Sequence, residues 1–321
     1  MNLSLFKVTA LLLASIVTAP VMAAAAWPEK TVRIIIPWPP GGSTDIVGRL
    51  LAAELTQRLK QQVIIDNRAG GGSIVGLQIA TAAAPDGYTM MLTSTAYGFL
   101  IDKQQVPVDL VNSFAPVAMI GTGESALTVH PSLPVKSTPE LIALAKAKPG
   151  ALNYASSGIG GFPHMSTELL KLKTGIDLVH VPFKGGGPAL ADTMSGQTQI
   201  YLGTLVTVMS AITSGRLRLL AVGGAKRNPN LPKVPTIAET VPGYESYIWW
   251  GMFAPNGTPA AAIARVHAET SAVLTSPAFM KKLDEQGGVP VTMSSAEFGR
   301  LMVAETDKWL QVIKAAGIKG E

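Results

Sequence analysis

The sequence predicts an α/β protein in which two units of alternating strands and helices face each other across a cleft. A β-branched strand at 32–36 is followed by a glycine loop and a helix start up to residue 45, and this order recurs at 152–163. Alternating strands and helices over 32–93 imply a mostly parallel sheet flanked by helices. Hydrophobic residues make up 47% of the chain and charged residues 15%, which is enough apolar material for a full core.

The first 26 residues have the pattern of a secretory signal peptide. Lys7 supplies one positive charge, an apolar run follows over 8–17, and small residues lead to a cleavage site expected near Ala23–Ala26. The apolar run is too short to span a bilayer, so a membrane anchor is the less favoured interpretation. We therefore expect export to the periplasm.

Composition excludes several classes of function. The chain has no cysteine, which rules out disulfides, thiolate catalysis, Cys-ligated zinc and iron–sulfur clusters. The formal net charge of +5 is modest and no long basic run is present, so nucleic-acid binding is not expected. We also expect no cofactor.

The segment 34–45 is suited to holding an anion without a charged side chain. Its prolines end the strand and stiffen the turn, and Gly41 and Gly42 allow the backbone to bend. Ser43 or Thr44 can cap the helix that follows. A helix N-terminus offers free backbone N–H groups and partial positive charge, so an anion site is predicted here.

Other glycine loops are expected at the same edges of the sheets. Ligands of such sheets bind beyond the carboxyl ends of the strands, which puts 38–42, 69–72 and 93–95 on one rim. The second unit presents its own glycine loop at 156–161. Two rims that both present anion sites predict a cleft between them.

The rest of the chain is predicted element by element. Residues 114–120 and 126–130 are predicted as two strands that leave the first unit, and 184–188 as a loop. The later strands are expected at 179–183, 199–202, 217–222 and 247–253, and the later helices at 260–274, 278–286 and 296–316.

Nine stretches, in order along the chain, resemble the periplasmic solute-binding receptors of tripartite tricarboxylate transporters, the Bug family. The resemblance runs from Trp27 almost to the C-terminus. The matching stretches are Ile36–Asp45, Asp66–Gly70, Pro85–Thr89, His130–Pro134, Asn153–Gly158, His164, Val181–Gly185, Val234–Glu239 and Phe253–Pro255.

This resemblance implies a two-lobed periplasmic binding protein, type II-like, that holds its ligand between the lobes. Lobe 1 is expected to comprise 27–128 plus 249–321, and lobe 2 to comprise 129–248. The implied function is capture of a small organic carboxylate by backbone amides and ordered waters, closure about a hinge, and delivery to the integral-membrane permease subunits. A monomer without catalytic residues is expected.

The glycine loops and the resemblance together predict the ligand-binding residues. The predicted set is Trp38, Pro40, Gly41, Gly42, Ser94, Ser157, Gly158, Gly160, Gly161, His164, Lys184, Gly203 and Thr204.

Two departures from the family pattern bear on the ligand. Segment 199–204 lacks the acidic residues often found there, which counts against an amino acid because its ammonium group needs an acidic partner. Trp38 stands where the family often has a smaller aromatic, and with Tyr97, Phe99 and Phe162 it predicts an apolar wall. We take a compact or aromatic dicarboxylate as the hypothesis, with terephthalate as the specific candidate.

Other interpretations of single residues are weaker. His164 and Glu168 have the i, i+4 spacing of a metal pair but lack further ligands, so no metal is expected. Lys184 lies in no Walker motif. Ser156-Ser157 lies on a loop like that of a nucleophile, but without the motif or an assignable base. A periplasmic enzyme and a sensory receptor for a signalling protein remain the alternative functions.

Overall fold

The computed structural model describes residues 27–95 and 110–318, so the predicted signal peptide lies outside the described residues. The first part of the chain alternates strands and helices. Its elements are β1 (Val32–Ile36), α1 (Ser43–Leu59), β2 (Val63–Asn67), α2 (Ile74–Thr81) and β3 (Thr89–Ser94). The short helix α3 (Leu110–Ser113) and the long strand β4 (Phe114–Val129) follow.

A second alternating part follows β4. Its elements are α4 (Thr138–Ala147), β5 (Asn153–Ser156), α5 (Phe162–Thr174), β6 (Val179–Pro182), α6 (Gly186–Ser195), β7 (Ile200–Thr204), α7 (Leu205–Thr213) and β8 (Arg218–Val222). The chain then returns through β9 (Tyr247–Pro255), α8 (Ala260–Leu274), α9 (Pro277–Glu285), β10 (Gly288–Pro290) and α10 (Ser295–Ala316).

The strands form two lobes of the same design. In lobe 1 the order is β2-β1-β3-β9-β4, and in lobe 2 it is β6-β5-β7-β4-β8. In each lobe the first three strands are parallel, and the next strand is antiparallel to its neighbours. That antiparallel strand crosses over from the other lobe. The two-lobed α/β fold predicted from the sequence is confirmed, with a mixed rather than purely parallel sheet.

The prediction of two strands at 114–120 and 126–130 is wrong, because β4 is continuous. Its residues 114–124 pair with β9, whereas residues 125–129 pair with β7 and β8. The glycines at 121 and 123 and the polar pair at 124–125 resemble a strand break in the sequence. They lie where the strand passes from one lobe to the other, and there Gly123 makes room for the Trp250 ring.

Helices α6 and α7 are absent from the sequence prediction. Helix α6 begins with Gly186 and Gly187, which resemble loop residues, and Gly185 precedes it with a φ of +119°. Helix α7 follows β7 directly, with Thr204 serving as both the last strand residue and the helix N-cap. Because no connecting loop separates β7 from α7, the sequence there has no turn-forming residues that would indicate a helix start.

The last helix packs against both lobes. Phe298 and Trp309 of α10 are fully buried, and Phe298 meets Trp249 edge-on with ring centroids 5.7 Å apart. Met165 of α5, in lobe 2, lies in the same apolar cluster. Within 27–95 and 110–318, none of the helices has both the length and the apolar content needed to cross a membrane.

Candidate functional site

A cavity lies between the two lobes, where the carboxyl ends of both sets of parallel strands meet. It contains about 490 Å³ of space free of protein atoms, counted out to its mouth. The residues that line it are Trp38, Pro39, Gly42, Ser43, Thr44, Ser94, Thr95, Ser157, Phe162, Pro163, Gly186, Tyr201, Thr204, Thr207 and Ile248.

The lobe 1 wall is built on the N-terminus of α1. Gly42 is the N-cap residue and has no side chain with which to satisfy the first N–H groups of the helix. Gly41 adopts a φ of +85°, which a residue with a side chain rarely does. Ser43 and Thr44, the first helical residues, line the cavity and are buried. The backbone N–H groups of this first turn therefore belong to the cavity wall.

A charged network fixes the loop before α1. The buried Asp45 carboxylate accepts hydrogen bonds from the backbone N–H of Gly41 and from Arg49 Nε, each at 3.0 Å. Arg49 also donates to Asn67 Oδ1 at 3.1 Å, and Asn67 Nδ2 donates to the Trp38 carbonyl at 3.0 Å. Burial alone would raise the pKa of Asp45, but the hydrogen bonds and the Arg49 charge outweigh it and lower that pKa.

Two more helices present glycine N-termini from lobe 2. Gly161 precedes α5 and Gly185 precedes α6, so neither helix has a capping side chain. Phe162 and Pro163 of α5 and Gly186 of α6 line the cavity. Proline removes one donor from the first turn of each helix, at the second position of α5 and at the third position of α6, where the N–H groups of Gly186 and Gly187 remain.

The third lobe 2 contribution comes from β7 and α7. Tyr201 is buried, and its hydroxyl lies beside the start of α6: a Cβ placed on Gly186 would be 3.2 Å from it. Burial raises the pKa of Tyr201, so its hydroxyl stays neutral and can donate. Thr204 caps α7 through the Thr207 N–H at 3.2 Å, and its hydroxyl also bonds that of Thr207 at 2.8 Å.

The cavity suits an anion although none of its described lining residues is charged. Three uncapped helix N-termini, from α1, α5 and α6, supply partial positive charge from two sides. Hydroxyl groups supply further donors. Among the described residues Thr95 Oγ1 and Trp38 Nε1 are buried without a hydrogen-bond partner. Trp38, Phe162 and Ile248 provide apolar surface between these polar groups.

The two lobes touch along one edge of the cavity. A Cβ on Gly185 would lie 2.6 Å from Pro39 Cγ, and a Cβ on Gly187 would lie 3.0 Å from the Pro40 carbonyl oxygen. The glycines therefore allow the 39–41 loop of lobe 1 and the start of α6 to meet without side chains between them. The structure is closed at this edge.

Five of the thirteen predicted binding residues line the cavity: Trp38, Gly42, Ser94, Ser157 and Thr204. Several others shape its wall without lining it. Pro40 and Gly41 are exposed beside the contact between the lobes. Gly158 and Gly160 have φ values of +113° and +70° in the loop before α5, and Gly161 is the N-cap of that helix.

The remaining three predicted residues have different surroundings. Lys184 is exposed outside the lining. A Cβ on Gly203 would lie 2.2 Å from Tyr201 Cε1, so this glycine makes room for the Tyr201 ring. His164 is buried, and its Nδ1 accepts a hydrogen bond from the backbone N–H of Gly160 at 3.0 Å. Tyr97 and Phe99, expected in the apolar wall, lie outside the described residues.

Sequence reasoning missed most of the hydroxyl-bearing wall. Thr44 and Thr207 line the cavity because each lies in the first turn of a helix, a position that could have been predicted from the element boundaries. Thr95, just after β3, lies on the rim predicted at 93–95 but was not among the predicted binding residues. Tyr201 and Ile248 come from β7 and β9, and only the crossing of the strands brings them to the cavity.

The structure also bears on the weaker interpretations. Glu168 does not face a metal site: its Oε1 accepts from the Tyr154 hydroxyl at 2.7 Å and from Lys171 Nζ at 2.8 Å. In the described part of the chain no three His, Asp or Glu side chains are grouped to hold a metal ion. Ser156 does have a histidine partner, with His180 Nε2 2.6 Å from its Oγ. Ser156 is fully buried and does not line the cavity.

Comparisons with known proteins agree with this architecture. The model of the tripartite tricarboxylate transporter family receptor matches residues 47–318. Protein BugT of Bordetella pertussis is 33% identical over 309 residues, which cover 94% of each chain.

Two solved structures extend the comparison. An R. palustris protein with adipate is 35% identical with a TM-score of 0.88, covering 92% of this chain and 100% of that one. MatC from Rhodopseudomonas palustris with bound malate is 28% identical with a TM-score of 0.84, covering 89% of this chain and 100% of that one. The chain belongs to the tripartite tricarboxylate transporter receptor family.

Proposed function

We propose that this protein is a periplasmic receptor that captures a small dicarboxylate in the cleft between its lobes. The observation that carries the proposal is the convergence of three uncapped helix N-termini, from both lobes, on a cavity whose described lining has no charged side chain. Such a wall neutralises carboxylates with backbone N–H groups and helix dipoles rather than with arginines. Bridging waters would complete the contacts.

A dicarboxylate fits this arrangement better than a monocarboxylate. The donors lie on opposite walls, in α1 of lobe 1 and in α5 and α6 of lobe 2, so an anion at each end of the ligand would engage both lobes. Two similar proteins of known structure hold dicarboxylates, adipate in one and malate in the other. We propose the same ligand class here.

Within that class we propose a ligand with a flat, apolar middle, for which terephthalate is the specific candidate. Trp38, Phe162 and Ile248 support this choice, because they offer apolar surface between the two sets of donors. The described lining also lacks an acidic residue, so an amino acid would leave its ammonium group without a partner.

Ligand capture is proposed to close the cleft about a hinge. The lobes would comprise about 27–128 plus 249–321 and about 129–248, and they would bend near 124–125, where β4 changes partners, and near 246–247, where β9 begins. Both walls contact a ligand together only when the lobes meet, so the ligand favours the closed form. The closed monomer would then deliver its ligand to the membrane permease of a tripartite transporter.

Catalysis is not part of the proposal. Ser156, whose Oγ lies 2.6 Å from His180 Nε2, uses that oxygen within its own loop, where it accepts from the Gly158 N–H at 3.1 Å. Its burial keeps it from a ligand in the cavity.

The test is calorimetric titration of the purified protein with a panel of carboxylates. The panel contains terephthalate, phthalate, benzoate, adipate, succinate, malate, citrate, glutamate and nicotinate. The proposal predicts tight binding of a dicarboxylate without conversion, and terephthalate above adipate if the apolar wall selects the ligand. Preference for aliphatic acids would discard terephthalate and keep the receptor, whereas turnover of any ligand or binding of none would overturn the proposal.

A further inference from the structure

A stack of three aromatic rings lies directly beneath the glycine loop of lobe 2. The rings of His164 and His180 are 4.1 Å apart between centroids and inclined by only 4°. Tyr154 continues the stack, with its ring centroid 4.8 Å from that of His180. The three residues come from different elements, α5, β6 and β5, so the stack joins the strands of lobe 2 to the helix whose N-terminus faces the cavity.

Each histidine holds one part of the loop that precedes α5. His164 Nδ1 accepts the hydrogen bond from the Gly160 N–H at 3.0 Å. His180 Nε2 lies 2.6 Å from Ser156 Oγ, which in turn accepts from the Gly158 N–H at 3.1 Å. Gly158 and Gly160 both have positive φ, so these bonds fix the two residues with the most unusual backbone in the loop. Ser157, between them, lines the cavity.

We propose that His164 and His180 are positioning residues for the ligand, and that they hold the 157–161 loop in its binding geometry only while both are uncharged. The proposal rests on the proposed function, because it takes the cavity beside this loop as the ligand site.

The hydrogen-bond geometry requires the neutral form of His164. A nitrogen that accepts a hydrogen bond cannot also carry a proton, so His164 must have its proton on Nε2. Protonation of Nδ1 would bring two N–H donors face to face and release Gly160. The parallel stack adds a second constraint, since imidazolium rings at 4.1 Å, one buried at His164 and one half-buried at His180, would repel each other.

The charged groups around the pair come from one helix. Glu168 and Lys171 of α5 act on both histidines, and they are bonded to each other at 2.8 Å. Their effects oppose one another, since the carboxylate favours the imidazolium form and the ammonium disfavours it. Burial is the larger influence and lowers the pKa of His164, and it lowers the pKa of His180 to about 4. The pair is therefore neutral near pH 7.

Because the ordered loop needs neutral histidines, acidification should weaken ligand binding. A histidine released from the loop would regain a pKa of about 6.5, so the released state takes up a proton between pH 6.5 and 4, where the ordered state does not. Acidification over this range favours the released loop and weakens ligand binding. Neutral pH favours the ordered loop.

The experiment uses the double variant His164→Asn, His180→Gln. The side-chain amide of Asn can replace His164 Nδ1 as an acceptor, and the side-chain amide of Gln can replace His180 Nε2 as either donor or acceptor to Ser156, but neither group titrates. Calorimetry would measure the affinity for terephthalate and for adipate at pH 7.5 and pH 5.0 in the unmodified protein, in this variant and in His130→Gln. His130 bonds Ser132 at the far end of β4 and serves as the control histidine. Because the ligand's own protonation changes its affinity equally for all three proteins, the ratio of their affinities at each pH is free of that effect.

We expect the unmodified protein and His130→Gln to lose up to about thirtyfold more affinity than the double variant between pH 7.5 and 5.0. A second readout needs no ligand: amide exchange of Gly158 and Gly160 should accelerate at pH 5.0, relative to the intrinsic rate, in the unmodified protein. Equal pH responses in all three proteins with unchanged exchange protection would overturn the proposal. If no carboxylate of the panel binds at pH 7.5, the proposed function fails, while the exchange measurement still decides whether the histidines hold the loop.

Discussion

Helices that face the cavity begin differently from several helices that face away from it. At the cavity, α1, α5 and α6 each follow a glycine that cannot cap them. Away from it, α4, α9 and α10 each follow a serine whose hydroxyl accepts a hydrogen bond from the first turn. A cap contributes about 1 kcal/mol to stability. Helices α2 and α8 also lack a side-chain cap, so what distinguishes the cavity is that three uncapped N-termini converge there, which leaves their N–H groups available to a ligand.

Helix α7 is the informative intermediate case. It starts at the cavity but is capped by Thr204, which itself lines the wall. We therefore expect α7 to contribute hydroxyl groups to the ligand and to contribute less through its backbone.

The largest effect should follow from adding a charged cap at the cavity. The backbone of Gly42 (φ −82°, ψ 167°) accepts any side chain, and a Cβ there would meet no atom within 4 Å. Gly42→Asp should lower affinity for a dicarboxylate about 100-fold or more, because its carboxylate takes the N–H groups and repels the ligand. Its melting temperature should stay equal or rise.

Gly42→Ser is the matched control for that experiment. It adds a cap without a charge, so calorimetry should show a smaller loss of affinity. Unchanged affinity in Gly42→Asp would mean that the N-terminus of α1 does not hold the ligand.

A smaller effect is expected from the charged network behind the α1 loop. Asp45→Asn should destabilise the protein by about 2 kcal/mol, since the buried carboxylate accepts bonds from Gly41 and Arg49. Because folding lowers the pKa of Asp45, its stabilisation is present above its unfolded pKa of about 3.9 and is lost as pH falls through the lower folded value. Urea unfolding at pH 7 and pH 3 checks both points.

Asp86→Asn serves as the comparison for Asp45→Asn. Asp86 pairs with Lys30 at 3.5 Å on the exposed surface, so removal of its charge should change stability little. Equal destabilisation by the two substitutions would contradict the structural role given to Asp45.

The contact between the lobes offers a test of closure. Gly185→Ala should lower affinity about tenfold, because a Cβ 2.6 Å from Pro39 Cγ opposes closure and the φ of +119° disfavours alanine. Gly175→Ala is the control, with a φ of +68° at the end of α5 and no atom within 4 Å of its Cβ. Similar losses of affinity in both variants would attribute the effect to backbone strain alone.

The smallest effect concerns a helix away from the cavity. Ser294 caps α10 in a reciprocal arrangement with Glu297. Ser294→Ala should cost about 1 kcal/mol in the free energy of unfolding and leave ligand affinity unchanged. A loss of affinity there would weaken the contrast between the two groups of helices.

Elements whose hydrophobic residues repeat with clear strand or helix periodicity were predictable from the sequence. Strand β1 and helix α8 have the predicted bounds, 32–36 and 260–274, because strand or helix periodicity is clear in both. The continuity of β4 was not predictable, because its centre is shaped by the crossing of the lobes rather than by local preference.

The candidate site likewise contains residues that were predictable from the local sequence and residues whose role depends on tertiary contacts. Gly42 and Ser157 lie in glycine loops whose chemistry is visible in the sequence, and both line the cavity. Gly203 looked like a binding residue, but its role depends on the Tyr201 ring, which packs over it. His180 gave no signal, since its contact with Ser156 joins two neighbouring strands.

The most direct test of the central claim is an NMR titration that follows backbone amides while a dicarboxylate is added. Recognition by uncapped helix N-termini predicts that the amides of Ser43 and Thr44 in α1, and of Gly186 and Gly187 in α6, shift strongly and gain protection from exchange. The amides in the first turns of α9 and α10 should not change. Ligand-induced shifts centred on Lys184, with the first turns of α1 and α6 unaffected, would contradict recognition by uncapped helix N-termini.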